Sequence, residues 1–361
     1  MNDDSILIRA ATAADTPAIL ALLERTFNLP SEPARFDWVY FRNAGGAPSP
    51  SYVAEAGGRI VGHHGALPVR LWHGGREVRA LYTLEVATDP EFQGRGLMTR
   101  LGRALIDGAR GDIALIRIFP NLASSPAFYR KLGYTELLPF PVVARLIGNV
   151  RGPVAARKPA LAPVAALADA LLRVGLAPAA LTRQRARRRG DRVAPITDFG
   201  PWANELWASL RPVLGTCTVR DAAYLRWRYC ESPHAYTIIG LDRGAGPVGF
   251  AVVSVRPWKG GKAADLMELM VAPGDRAGAE ALIAEAVLHA ARGGAVALRT
   301  WVSPLHPHRA AFRRALFRPL PARLRVDYSF GTLVLDPAVV DPEQVTRPEG
   351  WTITAGDIEY I

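Results

Sequence analysis

The stretch Leu84-Glu85-Val86-Ala87-Thr88-Asp89-Pro90-Glu91-Phe92-Gln93-Gly94-Arg95-Gly96-Leu97-Met98-Thr99 runs from an apolar segment through a turn marked by Pro and Gly, and continues into Leu97, Leu101, Leu105 and Ile106 at helical spacing. It predicts a strand, a tight loop and an amphipathic helix reaching about Ala109. The first amides of a helix have no intrahelical acceptors and lie at the positive end of its dipole, so a glycine-lined loop leading into a helix suits phosphate oxygens. Two familiar phosphate loops are weakened by the spacing. A P-loop needs G-x-x-x-x-G-K-[ST], and Lys is absent here; a dinucleotide fingerprint needs G-x-G-x-x-G, whereas Thr99 stands three residues after Gly96.

Upstream, Ile6-Leu7-Ile8 reads as a short strand, and Thr12 to Phe27 as a turn and helix carrying Ile19, Leu20, Leu22, Leu23 and Phe27. Tyr52 to Ala56 and Arg59 to Leu67 read as a hairpin around Gly57-Gly58. A further strand follows Gly74-Gly75, and Leu81 to Thr88 reads as another. Downstream, a strand from Ile113 to Phe119 and a helix around Ala127 to Leu132 complete an α/β unit.

The second half of the chain repeats this order. Phe36-Asp37-Trp38-Val39-Tyr40 has a counterpart in Leu225-Arg226-Trp227-Arg228-Tyr229, and Pro126 to Leu132 has one in Arg309 to Phe317. Partners lie 183 to 189 residues apart, which indicates a duplicated domain and not a short-period solenoid. The expected blocks are 1–145 for the first domain, 146–197 for a connector rich in Ala, Pro and Arg, 198–335 for the second domain and 336–361 for a tail.

With 361 residues, 49% hydrophobic and 21% charged, the composition excludes a disordered chain and accommodates two cores. The abundance of Ala, Arg, Gly and Pro is what a GC-rich bacterial genome produces. The net charge of +11 is concentrated: between Arg151 and Arg192 ten basic residues face only Asp169 and Asp191. This does not argue for nucleic acid as a partner. The connector is read as a helix between Pro163 and Leu181, packed between domains and ending in a solvated basic run from Arg183; weak association with a membrane surface is the alternative. Only Cys217 and Cys230 occur, outside any C-x-x-C pair, which suits a reducing cytoplasm. Acidic residues stand where a secretory leader carries positive charge, and no membrane span is expected.

The loop Gln93-Gly94-Arg95-Gly96-Leu97-Met98, preceded by Val86 to Pro90 and followed by Asn121 and Phe128-Tyr129-Arg130-Lys131-Leu132-Gly133-Tyr134, resembles the GNAT superfamily of acyl-CoA-dependent N-acyltransferases. Its pyrophosphate pattern is [RQ]-x-x-G-x-[GA]; Gln93 and Gly96 match, and Met98 replaces the usual small residue. The resemblance covers about residues 6 to 140. It implies an α/β (α+β layered) fold of two tandem GNAT-like domains, each a mixed, mostly antiparallel sheet flanked by helices.

The resemblance also assigns roles. Val86, Ala87 and Thr88 would hold the pantetheine arm of acetyl-CoA or another acyl-CoA. Amides from Gln93, Gly94, Arg95, Gly96, Leu97, Met98 and Thr99 would bind its pyrophosphate, Asn121 would touch the arm, and Tyr129 would protonate the departing thiolate. An amine acceptor must lose a proton before it attacks. Glu85, a carboxylate among apolar strand neighbours, is the candidate base. His63 and His64 alternate faces on the preceding strand, so one could face the acceptor, although a structural role is the commoner one. No residue pattern suggests a metal.

In the second copy the loop becomes Ala272-Pro273-Gly274-Asp275-Arg276, acidic where phosphates would sit, and Arg313 replaces Tyr129, so this copy reads as degenerate. An active first copy with a decayed second resembles the aminoglycoside-acetylating, enhanced-intracellular-survival type of GNAT protein. Its terminal carboxylate enters the active site, which would bring Ile361 there; its sterol-carrier-like domain has no counterpart after Phe330. The expected reaction is acetyl transfer from acetyl-CoA to a primary amine of a small molecule, such as an amino sugar, antibiotic or metabolite. With no cysteine before Cys217, direct attack in a ternary complex is favoured over an acyl-cysteine route. The rivals are a non-catalytic acyl-CoA-binding scaffold, a protein-lysine or hydroxyl acyltransferase, and a membrane- or nucleic-acid-associated protein built on Arg183 to Arg192.

Overall fold

The computed structural model describes residues 6–121, 124–137, 142–258, 260–320 and 329–358. In chain order the elements are β1 (Ile6–Ala10), α1 (Thr16–Phe27), α2 (Pro33–Tyr40), β2 (Ser51–Ala56), β3 (Arg59–His73), β4 (Arg76–Thr88), α3 (Leu97–Ala109), β5 (Leu115–Ile118), α4 (Ser125–Lys131) and β6 (Thr135–Leu137). There follow β7 (Val142–Leu146), α5 (Arg151–Arg157), α6 (Ala162–Val174), α7 (Ala177–Arg188), β8 (Arg192–Ile196), α8 (Trp202–Leu210), β9 (Cys217–Thr218) and α9 (Ala222–Leu225). The chain continues with β10 (Thr237–Asp242), β11 (Pro247–Trp258), β12 (Gly261–Val271), α10 (Arg276–Arg292), β13 (Ala295–Trp301), α11 (Arg309–Arg314), β14 (Arg318–Pro319), β15 (Phe330–Val334) and α12 (Pro342–Val345).

Glycine pairs set the hairpins of the first sheet. Gly57-Gly58 and Gly74-Gly75 all adopt positive φ, the conformation of a two-residue turn whose twist matches the strands it joins. Ala56 faces Arg59 across the first turn and His73 faces Arg76 across the second. The second turn opens a single strand, Arg76–Thr88, where two were expected. Its pairing with β3 is continuous from Arg76 through Leu84 and resumes at Ala87 after a shift of register, so the two expected strands are one.

The first sheet has the order β1-β2-β3-β4-β5-β15-β6 and the second β14-β7-β13-β12-β11-β10-β8. In each, one central pair is parallel, β4 with β5 and β12 with β13, and the neighbouring pairs are antiparallel. Reading β8 against β1, β10 to β13 against β2 to β5 and β14 against β6, the two orders coincide, as a duplication requires. The remaining strand is exchanged. β7 follows β6 in the chain but lies in the second sheet, and β15 follows β14 but lies in the first.

The compact units are therefore discontinuous. One comprises Met1–Pro139, Glu231–Pro233 and Asp327–Gly350; the other comprises Phe140–Cys230, His234–Val326 and Trp351–Ile361. The contiguous blocks 1–145 and 198–335 are thus replaced, because backbone pairing assigns β7 and β15 to sheets distant in sequence. The expected connector 146–197 is also part of a unit: α7 buries Ala179 and Ala186, and Arg145 donates to the Ala315 and Gly175 carbonyls at 2.9 and 2.7 Å. Nor is 163–181 one helix, since Gly175 and Leu176 divide α6 from α7.

In the first unit α3 buries Leu97, Leu101, Leu105 and Ile106, each contributing about 1.5–3 kcal/mol on leaving water. They join Ile116, Ile118, Phe128, Leu132 and Tyr134 in cores that fix α3 and α4 on the sheet. In the second unit α10 plays the same part, with Ala279, Leu282, Ile283, Ala286 and Val287 buried.

Candidate active site

Two breaks in regular pairing shape the site. β4 pairs with β5 only from Ala80 to Thr83, where β5 ends at Ile118, so among the described residues the β4 edge from Leu84 to Thr88 faces no strand on that side. On its other side, Leu84 faces Gly65 and Ala87 faces His63, so β4 takes three steps where β3 takes two. The extra residue is a bulge. It puts Glu85 at φ 52°, a left-handed conformation costing a non-glycine residue about 1–2 kcal/mol. Val86, Ala87 and Thr88 thus form an irregular edge beyond the end of β5, with Ala87 and Thr88 still opposite His63 and Gly62 of β3 and the Thr88 carbonyl accepting from the Gln93 side chain at 3.4 Å.

Beyond Thr88 the loop is fastened at two points. Asp89 is buried, accepts from the Glu91 amide at 3.1 Å and pairs with Arg59 at 2.8 Å and Arg25 at 3.3 Å. Burial pushes its carboxyl up, but the Glu91 amide and Arg59 outweigh this and hold it below its usual range. Phe92 is buried beneath the Arg95 guanidinium, which lies 4.9 Å from the ring centroid. Between these anchors and the helix, Gly94 and Gly96 take φ of 78° and 72°, and a methyl group added to either meets nothing within 4 Å. The glycines therefore serve the backbone conformation and not a tight fit. Alternation of this kind turns successive amides toward one concavity. Gly96 caps α3 without any side-chain hydrogen bond, so the first amides, Leu97 and Met98, receive no side-chain cap, while that of Thr99 donates to the Gly96 carbonyl at 3.0 Å. Gln93 and Arg95 are exposed beside them.

This arrangement fits a diphosphate, and the second copy shows the contrast. There Asp275 caps α10 through the Gly278 amide at 2.9 Å and pairs with Arg243 at 2.8 Å. A carboxylate already fills the position that the first copy leaves open. Arg313, at the position of Tyr129, is exposed. The second copy departs from the first in both features.

Tyr129 on α4 is half-buried and packs with Val86 and Met98 against the same core cluster, so bulge, loop and α4 meet at one place. Met98, the departure from the family pattern, is held there by apolar contact. Burial pushes the Tyr129 phenol up to about 12, partly offset by a 2.6 Å hydrogen bond with the Ser329 hydroxyl. Gly331 on β15 lies against the ring: a Cβ there would come within 2.7 Å of it. Neither Ser329 nor Gly331 could be linked to Tyr129 from local sequence, since about two hundred residues intervene.

Glu85 is buried, and one carboxylate oxygen accepts from both terminal nitrogens of Arg35 at 2.6 and 2.8 Å. Burial agrees with the sequence reading; the guanidinium partner was missed, because nothing near Arg35 marks it. α2, which carries Arg35, also places the Tyr40 hydroxyl where Gly65 lacks a side chain. His63 and His64 do take opposite surroundings. His63 bridges the Glu85 carbonyl oxygen and the Ser51 hydroxyl, each at 2.7 Å, and burial lowers its pKa against the pull of Glu85. His64 stands edge-on to Phe128, and burial pushes its pKa down to about 3. Asn121 is exposed and its side-chain oxygen accepts from the Ser124 amide at 3.0 Å and the Ser124 hydroxyl at 3.1 Å.

The expected tail 336–361 is divided: 336–350 belong to the first unit, and the described remainder, Trp351–Ile358, is buried in the second. Arg220 joins Glu268 at 2.9 Å and Asp357 at 2.7 Å, while Gly356 approaches Glu268 and the Tyr229 hydroxyl so closely that no Cβ fits. Glu268 occupies the bulge of β12, the counterpart of Glu85. This last segment thus packs on the second copy's own bulge; Ile361 lies outside the described residues.

A model of the acetyltransferase (GNAT) domain matches residues 7–137. The chain is 30% identical over 140 residues to the N-alpha-acetyltransferase RimI of Mycobacterium tuberculosis, a match covering 38% of this chain and 82% of that protein. Among solved structures, a GCN5-related N-acetyltransferase from Kribbella flavida superimposes with TM-score 0.60 at 18% identity over 93% of this chain and 73% of its own. Eis1 from Mycobacterium abscessus superimposes with TM-score 0.51 at 14% identity over 95% of this chain and 76% of its own. Both structural matches span the two-unit fold. With the glycine-containing loop before α3, the β4 edge left beyond the end of β5 and Tyr129 on α4 all in the matched region, the chain belongs to the GNAT family and is an N-acetyltransferase.

Proposed function

We propose that the first unit moves an acetyl group from acetyl-CoA to a primary amine of a small molecule, such as an amino sugar, an antibiotic or a metabolite, in a ternary complex. The observation that carries the cofactor half of this reading is the uncapped start of α3 beside the unpaired β4 edge. Bound acetyl-CoA supplies the activated acetyl group. Amides from Gln93 to Thr99 hold the pyrophosphate, the Val86–Thr88 backbone aligns the pantetheine arm and the Asn121 NH2 group contacts it. Transfer forms a C–N bond, breaks the C–S bond and releases a thiolate, to which the Tyr129 hydroxyl gives its proton. The proton lost by the amine passes to Glu85, whose carboxylate Arg35 keeps fixed. The site lies in a unit whose chain has no cysteine before Cys217, which supports direct attack. Two free thiols, Cys217 and Cys230, support a cytoplasmic setting.

The small-molecule half rests on the resemblance to the aminoglycoside-acetylating tandem type. The RimI similarity favours a second reading, the α-amine of a protein. Thiol release from acetyl-CoA, measured with amino sugars, polyamines and peptides bearing free α-amines, separates the two. Turnover confined to peptides overturns the small-molecule reading. Absence of any coenzyme A binding overturns both.

A further inference from the structure

A helix on a protein surface ordinarily turns its apolar stripe inward. α6 does the reverse. It buries only Ala165, while Val164, Leu167, Leu171 and Val174, spaced three, four and three residues apart on one face, are 65%, 63%, 66% and 73% exposed. Contiguous exposed aliphatic side chains of this kind mark an interaction surface. The single acid of the helix is withdrawn from it: Asp169 accepts from the Val150 and Arg151 amides at 2.7 and 3.3 Å, tying α6 to α5.

Cations flank the stripe. Arg157 and Lys158 precede α6, Arg173 lies in its last turn, and Arg185, Arg187 and Arg188 follow on α7; all six are exposed, and among the described residues none makes an ion pair. The charge decides between occupants. Two copies of this face would bring these cations together, so self-association through it is opposed electrostatically. An anionic lipid surface satisfies both features, because aliphatic side chains enter the acyl boundary while long basic side chains reach the headgroups.

The segment Pro159–Arg188 is long and apolar enough, by length and composition, to cross a membrane. Its geometry favours lying on one. α6 has 13 residues, about 20 Å at 1.5 Å per residue, short of a hydrocarbon core of about 30 Å. α7 is held to α10 by buried Ala179 and Ala186 and by Arg183 with Glu285 at 3.6 Å.

We propose that α6, with its basic flanks, docks the enzyme on an anionic bilayer, lying in the plane of the interface. The proposal stands apart from the identity of the acceptor, since no residue of the acetyl-transfer site takes part. Its test is co-sedimentation of the full chain with vesicles of phosphatidylcholine alone and of phosphatidylcholine mixed with phosphatidylglycerol. The full chain is expected to partition onto the mixed vesicles and to be released by added salt. Because two exposed leucines insert, Leu167→Asp with Leu171→Asp is expected to lose about tenfold or more in partitioning, with the thermal melt and thiol release unchanged. Arg185→Ala, Arg187→Ala and Arg188→Ala together should weaken partitioning and flatten its salt dependence. The proposal is overturned if the chain ignores phosphatidylglycerol, if it binds both vesicles equally, or if the aspartate pair binds as well as the parent. It is equally overturned if the stripe mediates self-association by analytical ultracentrifugation, or binding to an acidic polypeptide in place of lipid.

Discussion

In the proposed reaction Tyr129 supplies the proton, and its surroundings bear directly on that role. A phenol held at about 12 stays protonated across the working pH range and can always donate. Tyr129→Phe is expected to lower kcat by about 10²- to 10⁴-fold while leaving coenzyme A affinity intact, as calorimetry and thiol release would show. In the parent enzyme the rate should climb as the acceptor amine loses its proton, with no falling limb from Tyr129 below about pH 11. A downturn at lower pH that disappears in Tyr129→Phe would contradict this assignment. On that proposal Ser329 acts as a positioning residue: Ser329→Ala is expected to lower kcat by about tenfold with KM for acetyl-CoA unchanged, and Ser329→Thr to restore it. Equal changes in melting temperature and both kinetic constants would point to packing alone. Breaking the buried pair with Arg35→Ala leaves a carboxylate without its cation and should destabilise the fold by about 3–5 kcal/mol, read by denaturant unfolding. Tyr129 and Glu85 were visible in the sequence because local motifs frame them. Ser329 and Arg35 were not, because each reaches its partner only through the tertiary fold.

Among elements, the two copies offer an internal comparison. α3 begins uncapped at Gly96, and α10 begins capped by Asp275. Gly96→Asp, which brings a carboxylate to the α3 N-terminus, is expected to reduce coenzyme A affinity by more than about tenfold by repelling phosphate where the helix dipole had attracted it. Unaltered affinity by calorimetry would remove this loop from the binding site. The hairpins were legible because paired glycines at Gly57-Gly58 and Gly74-Gly75 state the turn directly. The bulge was not, since a left-handed glutamate leaves no mark on an alternating strand. The region between Arg151 and Arg192 misled for a different reason: composition separates apolar from basic residues but is silent on which face of α6 looks outward.

For the whole molecule, the order of motifs disclosed the duplication, and only backbone pairing disclosed the exchange of β7 and β15. Register between strands so distant in sequence has no local signature. Residues 1–145 expressed alone carry β5 and β6 without the β15 that pairs with both, so they are expected to show no cooperative thermal transition and no coenzyme A binding. A folded, ligand-binding fragment would demonstrate that the sheet closes unaided. The same reciprocity bears on ancestry. Loss of the second half of the chain would take β15 out of the first sheet, where it pairs with both β5 and β6. Substitution has altered the second copy, where Asp275 and Arg313 stand, yet the exchanged strands still oblige each half of the chain to complete the other's sheet.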